Sequence, residues 1–344
     1  MLKKCLIMSD NKIKEDIVKE LQQTRNPHLP PEELKNIRVS PLILDTKSKH
    51  PFHLTPKASS ELSTSRNRNL IYPDEQAKLR NTVVGFFGLS VGSHAAVTWM
   101  MESRADVIKI VDPDKISATN LNRIRVGWES VGRYKAVIIQ KELQEINPYA
   151  TVLSFTKVRE SNIKKIFYTR PSLNVVVDEI DDIKGKLLLR KFAQYLRIPV
   201  ISAIDVEDDI FVDIERYDIN EHQKLFNNRL PDISEVNVSN LSEKEKKQLI
   251  IELVGIEKVS ERMLNSVFGI GATIVNWPQL GATATIAGGV IASLIKKIIL
   301  GENIKSGRYY LSLNNIFVSD FNSIRRVNER RKKIRAINKV LNQI

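Results

Sequence analysis

Cysteine is almost absent from this sequence of 344 residues, which contains only Cys5. One cysteine cannot form a disulfide within the chain, and it cannot supply a zinc site built from cysteine ligands. This composition fits a reducing compartment, and we therefore expect a cytoplasmic protein.

Long hydrophobic runs are also lacking, and we expect no signal peptide. The most apolar stretch, residues 280–295, is shorter than the ~20 residues that a membrane span requires, and it is rich in Gly, Ala and Thr. Lys3 and Lys4 lie near the start of the sequence, and the apolar stretch after them is too short for the one expected in a secretory signal. We interpret 280–295 as part of a buried helix and expect no membrane partner.

Acidic residues are fewer than basic ones, 40 Asp and Glu against 53 Lys and Arg, which gives a formal net charge of +13. Charge of this sign favours nucleic acids, nucleotides or acidic peptides as partners and says little about the fold. Residues 325–344 contain eight Lys and Arg against one acid, Glu329, and are predicted to form a basic helical tail. Its apolar residues have helical spacing and could dock on the body or on a partner: Val327, Ile334, Ile337, Leu341 and Ile344.

Short apolar runs alternate with amphipathic segments from about residue 66 onward. Strands are predicted at 82–87, 107–111, 152–155, 173–177, 199–202 and 309–313. Helices are predicted at 93–102, 134–146, 184–196 and 280–300. This alternation predicts an α/β fold with a Rossmann-like, doubly wound and mainly parallel sheet and helices on both faces.

Three further segments flank or interrupt this pattern. Residues 1–65 combine a predicted helix at 13–23 with several prolines and a Ser/Thr-rich end, and we interpret them as an N-terminal arm or small subdomain. Residues 218–278 are polar and helical, which indicates an insertion. The predicted division is therefore the arm, a domain at 66–324 that contains the insertion, and the tail at 325–344.

A predicted strand-to-helix turn contains Gly88, Ser90, Gly92 and Ser93. Small residues let the backbone approach a phosphate, and a helix N-terminus favours negative charge. Serines occupy the second and third glycine positions of G-x-G-x-x-G, so a turn without a ligand stays an alternative. Asp112 ends the next predicted strand, about 20 residues on, where an acid can bind ribose hydroxyls. These features predict a nucleotide site and do not separate NAD from ATP.

The residues that follow do separate the two nucleotides. In chain order they are Asp112 and Asp114, then Asn120 and Arg123, then Gly132 and Lys135, and then Asn147 and Pro148. A nicotinamide-linked reductase does not need this series. Nucleotidyl transfer requires cations near a triphosphate, an amide or hydroxyl that orients it, and a carboxylate that holds a metal ion.

This series resembles the signature of the ThiF/MoeB superfamily, the group that includes the ubiquitin-activating enzymes. The resemblance rests on the turn and on the Asp-x-Asp, Asn-Leu-x-Arg, Gly-x-x-Lys and Asn-Pro motifs in that order, and it covers about residues 66–217 and 277–300. It implies an adenylyltransferase that uses ATP and Mg²⁺ and works as a homodimer.

The resemblance also implies roles for single residues. The turn would cradle the phosphates through Gly88, Ser90 and Gly92. Asp112 would bind the ATP ribose, with Asp114 beside it in the nucleotide site, while Asn120 and Arg123 would contact the phosphates and Lys135 would neutralise the triphosphate.

Two further roles follow from the same resemblance. Asp181 would bind magnesium, and Asp182 after it stands where the family usually has asparagine. An arginine before the first strand would reach into the site of the partner subunit, with Arg68 as the first candidate and Arg66 as the second. The alternatives are a helix cap for Asp112 and Asp181 and a basic linker for the two arginines.

Cysteine is absent from residues 205–278, where many family members carry a thioester-forming residue, and no Cys-x-x-Cys pair occurs. We therefore expect no thiolate relay. The expected reaction is the ATP-dependent adenylylation of a carboxylate on a small molecule, a peptide or a protein C-terminus, with release of pyrophosphate. There are two alternatives. One is a tRNA-modifying member of the family, which the basic net charge favours, and the other is a non-catalytic nucleotide-binding scaffold. The sequence does not identify the acceptor.

Overall fold

The computed structural model describes residues 10–30, 54–156, 158–230, 233, 236, 238–255, 259–270 and 273–343. Cys5, about half of the predicted arm and Ile344 lie outside this part of the chain.

A single seven-stranded sheet organises the described residues, in the order β3-β2-β1-β4-β5-β6-β7. The strands are β1 Val84–Phe87, β2 Val107–Val111, β3 Thr151–Phe155, β4 Val175–Asp178, β5 Val200–Val206, β6 Asp209–Glu215 and β7 Gly307–Ser312. The first five strands pair in parallel, while β6 and β7 extend the sheet antiparallel beyond β5. The predicted mainly parallel, doubly wound α/β sheet is confirmed.

Helices connect and cover these strands. Before the sheet lie α1 Asp10–Arg25, α2 Pro56–Ser63 and α3 Pro73–Arg80. The sheet connections are α4 Val91–Ser103, α5 Lys135–Ile146, α6 Ile163–Tyr168 and α7 Ile183–Tyr195. The later helices are α8 Glu243–Val254, α9 Glu261–Gly269, α10 Gly281–Ile299, α11 Leu313–Phe317 and α12 Ile324–Gln343.

Two hydrophobic clusters fill the two faces of the sheet. One joins the strands to α3, α4, α5 and α10, and the other joins them to α6 and α7. Strand β1 has four fully buried residues, because a central parallel strand is covered on both faces. The carboxyl ends of β1, β2, β4 and β5 therefore meet at one edge, between two layers of helices.

Helix α10 is buried against α4 and β5, as the sequence predicts for 280–300. Its Gly288 lies against α4, where an added Cβ would stand 2.4 Å from the Cβ of His94 and 2.7 Å from its carbonyl carbon. Only glycine permits this contact, which fixes the two helices close together. Among the described helices, Gly281–Ile299 alone has the length and apolar composition to cross a membrane, but Ala284, Ile291 and Ile295 are fully enclosed in the core.

Strand β6 is not predicted from the sequence. Three of its seven residues are the acids Asp209, Asp213 and Glu215, which makes the stretch too acidic to be recognised as a buried strand. All three acids are nevertheless buried, and partners from other elements compensate Asp213 and Glu215: Arg308 lies 2.9 Å from Asp213, and Arg190 lies 2.7 Å from Glu215. These partners are distant in sequence, which hides the pattern.

The two ends of the described chain both pack on other elements. Helices α1 and α2 share a small cluster of Leu21, Leu54 and Ala58. Helix α12 buries Ile337 in a cluster with β5, β6 and α9, so the predicted apolar face of the tail docks on the body.

Candidate active site

The turn between β1 and α4 has the tight geometry that its small residues predict. Gly88 has a φ of +93°, and an added Cβ would lie 2.2 Å from the backbone oxygen of Glu179. The N–H of Gly88 donates to the carbonyl of Val111 at 2.8 Å, which ties the turn to β2. The N-terminus of α4 therefore faces the edge where the parallel strands end, an arrangement that suits an anion.

Asp112 follows β2 directly and holds the turn from the other side. Its Oδ2 accepts from the N–H of Leu89 at 2.7 Å, and its Oδ1 accepts from the N–H of Asp114 at 2.8 Å. Burial raises the pKa of Asp112, while Lys135 and the two backbone donors oppose this rise. The carboxylate is therefore a positioned acceptor at the strand end.

Lys135 opens α5 and is buried beside the two acids of the Asp-x-Asp motif. Its Nζ lies 3.0 Å from Asp114 Oδ2 and 3.7 Å from Asp112 Oδ2. Asp114 is the exposed member of this trio. The structure thus brings together the acid and the lysine that the sequence proposes for ribose and triphosphate.

Arg123 joins the loop after β2 to the turn. Its Nε donates to Ser90 Oγ at 3.2 Å, and its Nη1 donates to the carbonyl of Thr119 at 3.0 Å. Asn120 is buried in the same loop, where its Oδ1 accepts from the N–H of Ser117 at 3.0 Å. Asn120 therefore shapes the loop that carries Arg123, and Arg123 lies against the turn.

Asp181 lies beyond the end of β4 and is exposed. The next residue, Asp182, caps α7 by accepting from the N–H of Gly185 at 3.0 Å. Burial lowers the pKa of Arg123, and the charges of Asp205 and Asp181 oppose that fall. Asp181 thus follows a strand that ends at the same edge of the sheet as β1 and β2, and its magnesium role stays a prediction.

Asp181 fits a magnesium ion that binds together with a nucleotide. Among the described residues no group of three His, Cys, Asp or Glu side chains could hold a metal ion by itself. Magnesium bound with ATP needs only one or two carboxylates, because phosphates and water supply its other oxygen ligands. An exposed carboxylate at this edge of the sheet meets that requirement.

One protein-family model matches the part of the chain that contains most of these elements. The model of the ThiF family matches residues 64–336, which include every element from α3 to β7. The chain belongs to the ThiF family. The turn, Asp112, Arg123, Lys135 and Asp181 all lie inside the matched region.

Curated relatives of this ThiF protein match it over part of their length. An uncharacterised protein of Mycobacterium tuberculosis (strain CDC 1551 / Oshkosh), MT1398, is 32% identical over 243 residues, which are 71% of this chain and 33% of MT1398. The adenylyltransferase and sulfurtransferase UBA4 of Meyerozyma guilliermondii is 33% identical over 124 residues, which are 36% of this chain and 28% of UBA4. The chain spans about a third of the length of these relatives.

The solved structure of PaaA has a similar fold. It superposes with a TM-score of 0.53 at 16% identity, covering 92% of this chain and 96% of PaaA. At this identity the likeness establishes the fold alone.

Three further side chains, His94, Glu179 and Asp205, support the ThiF site and are missed by sequence reasoning. His94 Nε2 donates to the carbonyl of Arg123 at 2.5 Å, and its Nδ1 lies 3.4 Å from Thr285 Oγ1 of α10. Glu179 accepts from the N–H of Ala203 at 2.8 Å behind the turn, and burial raises its pKa well above the ordinary value. The sequence gives no signal for such contacts, because His94 is a single histidine within a helix and Glu179 simply follows another acid, Asp178.

Asp205 is the third of these side chains and lies near the end of β5. It is buried, its two oxygens accept from Gln279 Nε2 at 2.9 and 3.2 Å, and burial raises its pKa. Gln279 lies two residues before the start of α10, between the insertion and that helix. The ThiF site therefore extends from Asp112 at the end of β2 to Asp205 in β5.

Arg68 is not brought to this site within the chain. Its Nη1 donates to the carbonyl of Thr24 at 2.5 Å, and its Nη2 lies 3.7 Å from Glu61. Arg66 lines a separate cavity of about 710 Å³ between α1, α2 and α5. Both arginines lie beside the α1–α2 pair, so their predicted role depends on a second subunit.

Proposed function

We propose that this chain uses ATP to adenylylate a carboxylate and releases pyrophosphate. The observation that carries the proposal is the convergence of the Gly88 turn, the Asp112–Lys135 pair, Arg123 and Asp181 at the carboxyl ends of β1, β2 and β4. Ligands of open α/β sheets bind at this edge. Membership of the ThiF family and the similarity to the adenylyltransferase UBA4 support the same reaction.

In this proposal, different residues of the chain contact different parts of the nucleotide. Asp112 accepts hydrogen bonds from the ribose hydroxyls, and the turn with Ser90 and Gly92 faces the phosphates. Arg123 and Lys135 place positive charge beside the triphosphate, with Asp114 holding Lys135 in position. Asn120 keeps the Arg123 loop in shape.

The chemistry is a displacement at the α-phosphorus. An oxygen of the ionised acceptor carboxylate forms a bond to this phosphorus, and the bond to the oxygen of the departing pyrophosphate breaks. The products are an acyl-adenylate and pyrophosphate, and no proton transfer is needed. Negative charge accumulates on the leaving group, where Arg123 and Lys135 stabilise it. Asp181 would hold magnesium at this edge, and the bound ion would further neutralise the charge of the phosphate oxygens.

The step after adenylylation uses no cysteine of this chain in our proposal. Cys5 is the one cysteine in the sequence and precedes the ThiF region. A nucleophile of the substrate or of a second protein then displaces AMP. We further propose a cytoplasmic homodimer in which Arg68 of each subunit serves the opposite site, and acceptor recognition through the arm at 1–65 and the insertion at 218–278.

Exchange of labelled pyrophosphate into ATP tests the proposed reaction. The assay uses the full chain with MgATP and a panel of small carboxylic acids and peptides with free C-termini. We expect carboxylate-dependent exchange that Lys135→Met reduces by about 100-fold, because it removes a buried cation next to the triphosphate. Lys141→Met is the matched control, since Lys141 is an exposed lysine of the same helix. Absence of both exchange and ATP binding in the wild type would refute the proposal.

A basic surface favours action on RNA as a second candidate function. Helix α12 buries Ile337 and exposes a set of cations along its outer side: Arg325, Arg331, Lys332, Arg335 and Lys339. Phosphate contacts by such a surface make affinity strongly salt-dependent. Replacement of Arg331, Lys332 and Arg335 by serine should then weaken tRNA binding at low salt, whereas unchanged binding would remove the support for this candidate.

A further inference from the structure

A buried polar network centred on Arg190 lies beneath the insertion. The Arg190 side chain is 2% exposed, and its Nε donates to Glu215 Oε2 at 2.7 Å. Its Nη1 donates to Asp178, the last residue of β4. The ring of Phe226 covers the guanidinium, with its centroid 4.1 Å from the central carbon. Arg190 thus joins β4, β6 and the beginning of the insertion.

The insertion continues along the same face of α7. Ile183 lies two turns before Arg190 and Leu187 one turn before it, and both form a cluster with Phe226, Leu230 and Leu253. At the far end of the helix, Gln194 Nε2 donates to the backbone oxygens of Glu221 and Gln223 at 3.0 and 2.9 Å. Helix α7 is therefore the surface on which the first part of the insertion, through α8, rests.

Phe226 is held in an unfavourable backbone conformation. Phe226, Asn227 and Asn228 have φ angles of +54°, +52° and +63°. A bulky residue adopts this left-handed region only when its surroundings compensate the cost. Here the N–H of Phe226 donates to Glu215 Oε1 at 2.6 Å, and the ring stacks on Arg190. The network therefore determines the conformation of the insertion at this point.

The same network reaches the candidate magnesium ligand from two sides. Asp178, three residues before Asp181, accepts from Arg190 and from Lys186 Nζ at 3.1 Å, and its Oδ1 accepts from the N–H of Ile180 at 3.1 Å. Asp182, directly after Asp181, caps α7. The hydrogen bonds of Asp178 at the end of β4 and of Asp182 at the start of α7 therefore fix the backbone on both sides of Asp181. Arg190, a residue of α7, contacts Asp178 directly.

We propose that Arg190 is a positioning residue that couples the docking of the insertion on α7 to the placement of Asp181 for magnesium-bound nucleotide. The inference rests on the proposed ATP-dependent function. A segment that contacts an acceptor can then adjust the metal-binding acid through Phe226, Arg190 and Asp178. These residues form a continuous set of contacts, and energetic coupling between two sites can travel through packed side chains and hydrogen bonds of this kind.

The test perturbs the stacking without leaving a buried acid unpaired. Removing Arg190 altogether would leave the buried Glu215 without its cationic partner and could unfold the chain. Phe226→Leu keeps an apolar side chain in the cluster but removes the ring that covers the guanidinium. Arg190→Lys keeps the positive charge but loses the planar guanidinium that donates to both Glu215 and Asp178. Phe192→Leu is the matched control, because Phe192 packs on Phe167 on the other side of α7.

ATP affinity is measured by calorimetry on the full chain, once with MgCl₂ and once with EDTA, after thermal unfolding has shown that each variant is folded. We expect Phe226→Leu and Arg190→Lys to weaken the affinity in magnesium roughly threefold or more and to leave the affinity in EDTA unchanged. Phe192→Leu should match the wild type in both buffers.

Two results would overturn the coupling and leave the proposed function intact. One is a Phe226→Leu chain whose ATP affinity in magnesium equals that of the wild type. The other is an equal loss in magnesium and in EDTA, which would mean a general structural defect. A wild-type chain that binds no ATP in either buffer would instead refute the proposed function, and the coupling with it.

Discussion

The ammonium of Lys135 lies 3.7 Å from the carboxylate of Asp112, and both side chains are buried. Asp112 follows a strand and Lys135 opens a helix, so two different elements fix the pair. Asp112 is also held by the N–H groups of Leu89 and Asp114. Because the pair is formed in the chain itself, the lysine and the acid are already positioned when a nucleotide arrives.

Replacement of Asp112 by asparagine tests this pre-positioned acceptor. Asp112→Asn keeps the size of the side chain but loses the charge that pairs with Lys135 and the second acceptor oxygen. We expect ATP affinity to fall about tenfold or more, since hydrogen bonds to a charged group contribute about 1.5–3 kcal/mol each. Calorimetric titration with MgATP measures the change. Asp106→Asn is the control, because Asp106 pairs with Arg80 at the surface, and an equal loss in both variants would contradict the assignment.

The sequence predicts much of the fold and the part of the site that is local in the chain. The apolar runs give β1, β2, β3 and β4 close to their observed positions, and the Gly88 turn and Asp112 follow from their order along the chain. What it could not predict depends on partners that are far apart. Strand β6 is recognisable only once Arg190 and Arg308 are known to neutralise its acids.

The same limit applies inside the site. Asp205 and Gln279 are 74 positions apart and meet only after β5 and α10 have packed. His94 contacts Arg123 across two elements and looks like an ordinary helix residue in the sequence. Arg68 is the opposite case, since family resemblance predicts a role in a second subunit, and contacts within one chain do not test that role.

Gly88→Ala is predicted to destabilise the fold strongly. An alanine there has to adopt a φ of +93° and places its Cβ 2.2 Å from the backbone oxygen of Glu179. We expect the free energy of unfolding to fall by about 3 kcal/mol. Gly301→Ala separates the two causes, because Gly301 has a φ of +84° but no atom within 4 Å of an added Cβ.

Urea unfolding of the two glycine variants gives the comparison. Gly301→Ala should cost about 1 kcal/mol, the cost of a left-handed alanine alone. Equal losses in the two variants would show that the close approach to Glu179 contributes nothing.

His94 gives the protein a pH dependence whose sign follows from its burial. Burial lowers the pKa of His94 below its usual value of 6.5. As the pH falls through 6.5, the unfolded chain takes up a proton at this residue while the folded chain does not, so the free energy of unfolding decreases. Unfolding in urea between about pH 5 and pH 8 measures this slope, since unperturbed histidine titrates within that range.

His94→Gln should flatten the acid limb of that pH profile, because glutamine does not titrate. The exposed His222 provides the matched control, and His222→Gln should leave the slope unchanged. An unaltered slope in His94→Gln would show that His94 is not the residue whose protonation opposes folding.

Transfer of ¹⁸O from an acceptor carboxylate to AMP tests the central claim most directly. A carboxylate that supports pyrophosphate exchange is labelled in both carboxyl oxygens and incubated with MgATP and a nucleophile that completes the reaction. Because the carboxylate oxygen forms the bond to the α-phosphorus, we predict AMP that carries one ¹⁸O per molecule by mass spectrometry. Unlabelled AMP, or ADP as the product, would contradict adenylylation of the carboxylate at this site.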